Sequence, residues 1–473
     1  MMLRHVVQIL RSDWAAWVPS MGVVAAVNVL ITACTNQFAW TTSTAFLESA
    51  RRSGLDGEEF AMVSMTIYTV IALLAVCSLT VVGSATVERT RSTFAQWRLM
   101  GASPRQVCAC LWALVGLASV LGAVPGVVLG SVLSSLVVPW FNEIAGASFP
   151  GGTGDFVPPP FRPSAVAGGS ALVVSVVTCL LGAAWPSHRA ALVEPVEALR
   201  GPAAVRSRRA WGRWLVGGLL LACAVAMAVA TARTLDPAQV GRSTTAMVNA
   251  ATWVGGLSAA AVYVTGPALV HVALSVAHRV LRLFRVPVGQ VAARSAQTQA
   301  AMNANTIAPL TAAIGLGGVI FTATGSYLAV MARAGFPLEN PNLTDVSLLL
   351  GLFCVMATAT SVAVIALSGR DQVREHTTLR ASGMSPVQVS RLVAWQSFCL
   401  ALCAAGMGLL PVALVAWLVV TCSLALVGSV VLSVPWLGLT AGFLGCWFVL
   451  WAVQFSQAMP WLRREAAAGL RHV

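Results

Sequence analysis

Ten long apolar stretches divide the chain, at roughly 17–36, 61–86, 109–140, 164–184, 214–231, 246–270, 303–331, 346–368, 393–424 and 435–457. A helix needs about 20 apolar residues to cross the hydrocarbon core of a bilayer. The pattern therefore predicts an all-α polytopic membrane protein of about ten transmembrane helices. Two stretches, 109–140 and 393–424, run to about 30 residues and must tilt, kink or project beyond the lipid. Pro125 and Pro411 sit inside these two long stretches as kink or gate points. The last boundary is the least marked: residues 425–434 are themselves apolar, and the turn there rests on total length and on Pro435.

Composition narrows the chemistry. Only 10% of the residues are charged and 58% are hydrophobic, which excludes a single soluble globule. All 29 basic residues are arginine. Without a lysine there is no Walker A motif, no Schiff base and no lysine general base. The expectation is a chain that is not an enzyme and binds no cofactor or metal directly. Nine of the eleven cysteines lie within apolar stretches, which argues for small packing residues and against a disulfide framework. Cys108 and Cys110 form a C-x-C with no nearby Cys/His pair to complete a zinc site. Arg4 and Arg11 precede the first stretch without a convincing cleavage site, so a retained anchor is expected.

The charges sort by side. With the N-terminus inside, the segments 1–16, 87–108, 185–213, 271–302, 369–392 and 458–473 hold 23 Arg and 7 acidic residues. The outer segments hold 6 Arg and 9 acidic residues. The positive-inside rule then predicts cytoplasmic N- and C-termini. The overall charge of +13 is a topology signal, with contact to anionic lipid heads as a further use, rather than a nucleic-acid footprint. No charged residue falls inside a predicted span, which weighs against an ion-coupled carrier with buried relays.

Two of the inner loops repeat. Arg98, Gly101, Ser103, Pro104, Gln106 and Val107 map onto Arg380, Gly383, Ser385, Pro386, Gln388 and Val389 at a constant offset of 282. Each loop precedes one of the overlong stretches. The local chemistry predicts a helix ending in a left-handed glycine, then a serine N-cap with proline in the first turn. Gln106 and Gln388 stand three residues after their serines, the spacing of a capping box. The chain thus divides into a four-helix unit with its tail (1–213), a two-helix linker (214–276) and a second four-helix unit (277–473), a 4+2+4 arrangement with parallel repeats.

On these residues the sequence resembles the FtsX-like (MacB-type) permeases of ATP-binding cassette transporters. The family's loop pattern is carried by Glu88, Arg89, Arg98, Gly101, Ala102, Ser103, Pro104, Arg105, Gln106 and Val107. A second copy keeps Arg374, Glu375, Arg380, Gly383, Ser385, Pro386, Gln388 and Val389. The tail after the fourth helix is similar over Arg189, Ala190, Ala191, Pro195, Glu197, Ala198, Leu199 and Arg200, and only loosely over Arg463, Arg464, Glu465, Ala466, Ala467 and Arg471. The resemblance implies that the loops are coupling helices for two copies of a cytoplasmic ABC ATPase, which would hold the ATP and Mg. It implies a bacterial plasma-membrane permease, and uncharged spans with short outer loops suit an amphipathic or lipid-like substrate. A non-transporting regulator of a cell-wall hydrolase or sensor kinase is the alternative. The outer loops 37–60 and 332–345 leave no room for the large extracytoplasmic domain that many relatives carry.

Overall fold

The computed structural model describes residues 14–52, 72, 75–87, 96–148, 159–192, 210–236, 240–335, 351, 354–366 and 378–462. They are helical throughout apart from short connections. In order, the helices are α1 (Trp14–Thr41), α2 (Thr44–Arg52), α3 (Ala75–Val87), α4 (Pro104–Ser148), α5 (Ala165–Leu192), α6 (Ala210–Thr234), α7 (Val240–Leu283), α8 (Pro287–Thr298), α9 (Ala300–Arg333), α10 (Cys354–Ala366), α11 (Pro386–Val427) and α12 (Trp436–Leu462). Eight of them are long and apolar enough to span a bilayer. The two remaining predicted spans, 61–86 and 346–368, lie partly outside the described residues; within them stand the shorter apolar helices α3 and α10.

Most helices outrun the stretches that predicted them. At 1.5 Å per residue the 45 residues of α4 measure about 68 Å and the 44 of α7 about 66 Å. Hydropathy marks only the part of a helix that suits lipid, whereas caps and turns mark its ends. So α4 starts at Pro104 and continues to Ser148, into what reads as an outer loop from 141. The least marked boundary is real: α11 stops at Val427, Gly428 takes the left-handed conformation with φ +65°, and α12 begins after Pro435. Pro125 and Pro411 both sit inside continuous helices, the first exposed and the second buried. All eleven cysteines are free thiols. Cys223 and Cys354 are exposed, so not every cysteine is a packing residue within the protein.

The chain divides into two compact units, one of residues 1–206 with 327–356, the other of 207–326 with 357–473. In the first, α1, α4 and α5 pack on one another. Gly122, Gly126 and Gly130 form a stripe of one small residue per turn on α4. A methyl added at Gly126 would stand 2.5 Å from the Ala25 carbonyl oxygen, and one at Gly122 would stand 2.6 Å from that of Met21. Helices can approach so closely in a membrane only where side chains are this small. Along the facing side of α1 run Asn28, Thr32 and Asn36, all buried. Ser175 of α5 donates to Asn28 Oδ1 at 2.9 Å, and the Ser164 N–H donates to Asn36 Oδ1 at 2.7 Å. At the far end Phe46 of α2 and Phe161 close edge-on over Trp40, with ring centroids 5.1 and 5.6 Å away.

In the second unit α11 is the hub, packing on α6, α7, α8 and α12. Val415, Leu418, Val419 and Cys422 of α11 form one buried cluster with Met247 and Val254 of α7 and Val319 of α9. Gly315 of α9 meets Gly408 of α11, where an added methyl would stand 3.2 Å from the opposing carbonyl. Gly408 lies 282 residues after Gly126, so both repeats place a glycine at the same register of the long helix, where it passes close to a neighbour. Ser397 of α11 donates to Gln454 of α12 at 2.7 Å, a buried polar tie.

Candidate functional site: two capped elbows

The repeated loops fold alike. A helical turn at 96–99 ends in Gly101, whose φ is +96°; its counterpart Gly383 has φ +99°. In the first elbow the Ala102 N–H donates to the Trp97 carbonyl at 3.0 Å and the Gly101 N–H to that of Arg98 at 3.1 Å. In the second, Met384 donates to Leu379 at 3.2 Å and Gly383 to Arg380 at 3.0 Å. This pair of bonds is the Schellman closure, which satisfies the last carbonyls of a helix.

Each elbow then opens the next helix in the same way. The Ser103 N–H donates to Gln106 Oε1 at 2.9 Å, and the Gln106 N–H donates back to Ser103 Oγ at 3.3 Å. Ser385 and Gln388 repeat both bonds at the same two distances. Pro104 and Pro386 occupy the first helical position, where a missing N–H costs nothing. The reciprocal capping box fixes the direction in which α4 and α11 leave their elbows.

Burial follows the same repeat. From Gln96 to Leu111, each residue has the same exposure class as its counterpart from Thr378 to Val393. Val107 and Val389 are the buried anchors, at 1% and 0% exposure. Arg98 and Arg380 are half-buried, and the glycines, serines and prolines face outward. The outward faces differ in chemistry. The first presents Leu99, Met100 (77% exposed) and Arg105; the second presents Ala381, Ser382 and Val387. Glu88, Arg89, Arg374 and Glu375 lie outside the described residues, as do Pro195, Glu197, Ala198, Leu199, Arg200 and the C-terminal arginines.

Trp395 packs edge-on against Phe398 at 5.8 Å, and Phe398 in turn meets Phe443 and Trp447 of α12. Trp395 therefore belongs in part to the α11–α12 contact. Among the described residues no group of three or more His, Cys, Asp or Glu is placed to hold a metal ion.

Two features escaped the hydropathy pattern. One is the ladder Asn28, Thr32 and Asn36, visible in the sequence as an i, i+4, i+8 polar stripe within an apolar span. The other is α8, whose buried face is made of Gly289, Ala292, Ala293 and Ala296. Residues so small carry little hydrophobic signal, although their spacing of three and four is helical.

No curated protein matches the chain. The family of FtsX-like permease C-terminal domains matches twice, over residues 65–195 and 346–464. Each match contains one elbow and the long helix that follows it. The two matches together cover more than half of the chain, and the protein belongs to the FtsX-like permease family.

Proposed function

We propose that the chain is the membrane subunit of an ATP-driven transporter, and that its two elbows, on the cytoplasmic side, dock two copies of a separate ABC ATPase. The observation that carries this reading is the duplicated elbow: the same Schellman closure, the same capping box and the same exposure pattern at an offset of 282 residues. The closure, the cap and the pattern of exposed positions are kept in register twice, which supports two equivalent docking elements.

In this reading the unit is a pseudo-dimer within one chain, four helices on each side of a two-helix linker. Closure of the ATPase pair on ATP draws the elbows together, and the long helices α4 and α11 carry that movement across the membrane, with Pro125 and Pro411 as the points of give. The energy comes from the partner, since a chain without lysine has no Walker A lysine of its own. Apolar spans suit an amphipathic or lipid-like molecule taken from the bilayer, such as a peptide, a lipid or a hydrophobic drug.

The test is a double variant, Arg98→Glu with Arg380→Glu, in the reconstituted complex. The expected result is ATPase activity that no longer responds to substrate, and transport reduced at least tenfold with the permease still folded. Unchanged transport would remove the elbows from the coupling path. Native mass spectrometry of the purified complex gives the second check, with two ATPase subunits expected per permease chain.

A further inference from the structure

The end of α7 carries a surface that the coupling reading leaves unused. In the second unit α7 and α11 run antiparallel, with Met247 level with the Val412–Cys422 cluster and Gly266 beside Met407. Counting on from Gly266, the last turns of α7 come level with Pro386, at the end of the unit that holds the second elbow. There α7 turns back at Phe284–Val286 into α8, which packs on both α7 and α11. The His278 ring Nδ1 lies 3.2 Å from the Gln290 carbonyl oxygen, which ties the two arms together.

The outward face of this hairpin mixes two kinds of side chain. Val272, Val276, Val280 and Leu283 form an exposed stripe along α7, and Phe284 is 72% exposed at the tip. Arg279, Arg282, Arg285 and Arg294 are exposed among them. There is no acidic residue between Asp236 and Glu339, and among the described residues no carboxylate pairs with any of the four. The turn itself is informative. Arg285 has φ +54°, the one non-glycine residue with positive φ among those described, in a Schellman closure like those that use glycine at the elbows. A side chain is kept where glycine would be easier, and that side chain is a cation at the tip.

We propose that the α7–α8 hairpin is a binding site for anionic phospholipid headgroups, its valine stripe and Phe284 seated at the acyl boundary and its four arginines on lipid phosphates. The apolar stripe continues a helix that is already leaving the bilayer, which places it at the depth where acyl chains meet phosphate. Uncompensated arginines at that depth attract anionic lipid by roughly fivefold each. The site needs no ATPase and stands whether or not the elbows couple to one.

The test uses the full-length protein in nanodiscs of phosphatidylcholine, with and without phosphatidylglycerol. Hydrogen exchange over residues 272–291 and lipid retention by native mass spectrometry are measured together. Expected are several-fold slower exchange when phosphatidylglycerol is present, and its selective retention. Replacing Arg279, Arg282 and Arg285 by Gln should abolish both effects, with exchange of α11 unchanged as the control for folding. The single variant Arg285→Gly relaxes the turn while removing one cation, so it should fold at least as well yet retain roughly fivefold less phosphatidylglycerol. Equal protection in the two lipid mixtures would overturn the proposal. So would unchanged retention in the triple variant, or protection that arises only when an ATPase is added, which would make the hairpin a protein interface.

Discussion

At single positions the structure rests on a few polar atoms, some at the exposed elbows and some buried between helices. Ser385 and Ser103 each satisfy a first-turn helix N–H that would otherwise be left to water. Ser385→Ala should cost about 1 kcal/mol locally, read as faster hydrogen exchange over the first turn of α11 with the rest of the helix unaffected. Gly383→Val places a β-branched residue at φ +99°, with a local cost of about 1–2 kcal/mol. It should loosen the elbow more than Ser385→Ala does, even though an added methyl there would meet no other atom. Within the membrane, Asn28→Leu leaves Ser175 without its acceptor. A loss of about 0.6–2 kcal/mol is expected, seen as a lower thermal midpoint in detergent. The elbow residues were legible because caps and left-handed glycines are short-range chemistry: Gly101, Ser103, Pro104 and Gln106 act on one another within six residues. The role of Asn28 was not, because its partner Ser175 lies 147 residues away and a polar stripe in an apolar run names no neighbour.

Among the helices, legibility followed the size of side chains. Stretches rich in Leu and Val announced α4 and α11, and the cap residues announced where they begin. Neither α8 nor α2 was visible, the first because its buried face is glycine and alanine, the second because only Phe46 and Ala50 anchor it. The glycines of α4 could be seen in the sequence, but the helix they face could not, since any neighbour would explain them. The structure settles that neighbour as α1. Gly126→Leu should therefore force α1 and α4 apart at a cost of about 1–3 kcal/mol or more. A cysteine-free variant carrying one cysteine on each helix would report it as slowed cross-linking between them. The same substitution at Gly169, beside which an added methyl meets nothing, should be silent.

For the whole molecule, the distribution of arginine determines which way the chain sits. The prediction is that a fluorescent protein fused after Val473 matures in the cytoplasm, and that a probe placed at Ser382 is reached only from that side. Labelling of Ser382→Cys from outside intact cells, in a background without other cysteines, would reverse the orientation and with it the docking proposal. Eight of the ten stretches that hydropathy marked are long apolar helices among the described residues. The grouping of α6 and α7 with the second unit was not legible in the sequence, because it depends on the contacts of α7 with α11 rather than on any property of the linker itself.

Gly126 is the middle residue of α4, about 33 Å from either end. A rod held at its centre is a balance beam: whatever displaces one tip sends the other the opposite way by the same distance, with neither gain nor loss. Gly408 divides α11 almost as evenly, 22 residues from its start and 19 from its end. Each beam, pushed at its elbow tip, would carry its far tip the opposite way. Movement at the far tip of each beam would then follow from where its glycine sits, without any hinge loop, and Pro125, next to the fulcrum of α4, would set how stiffly that beam answers.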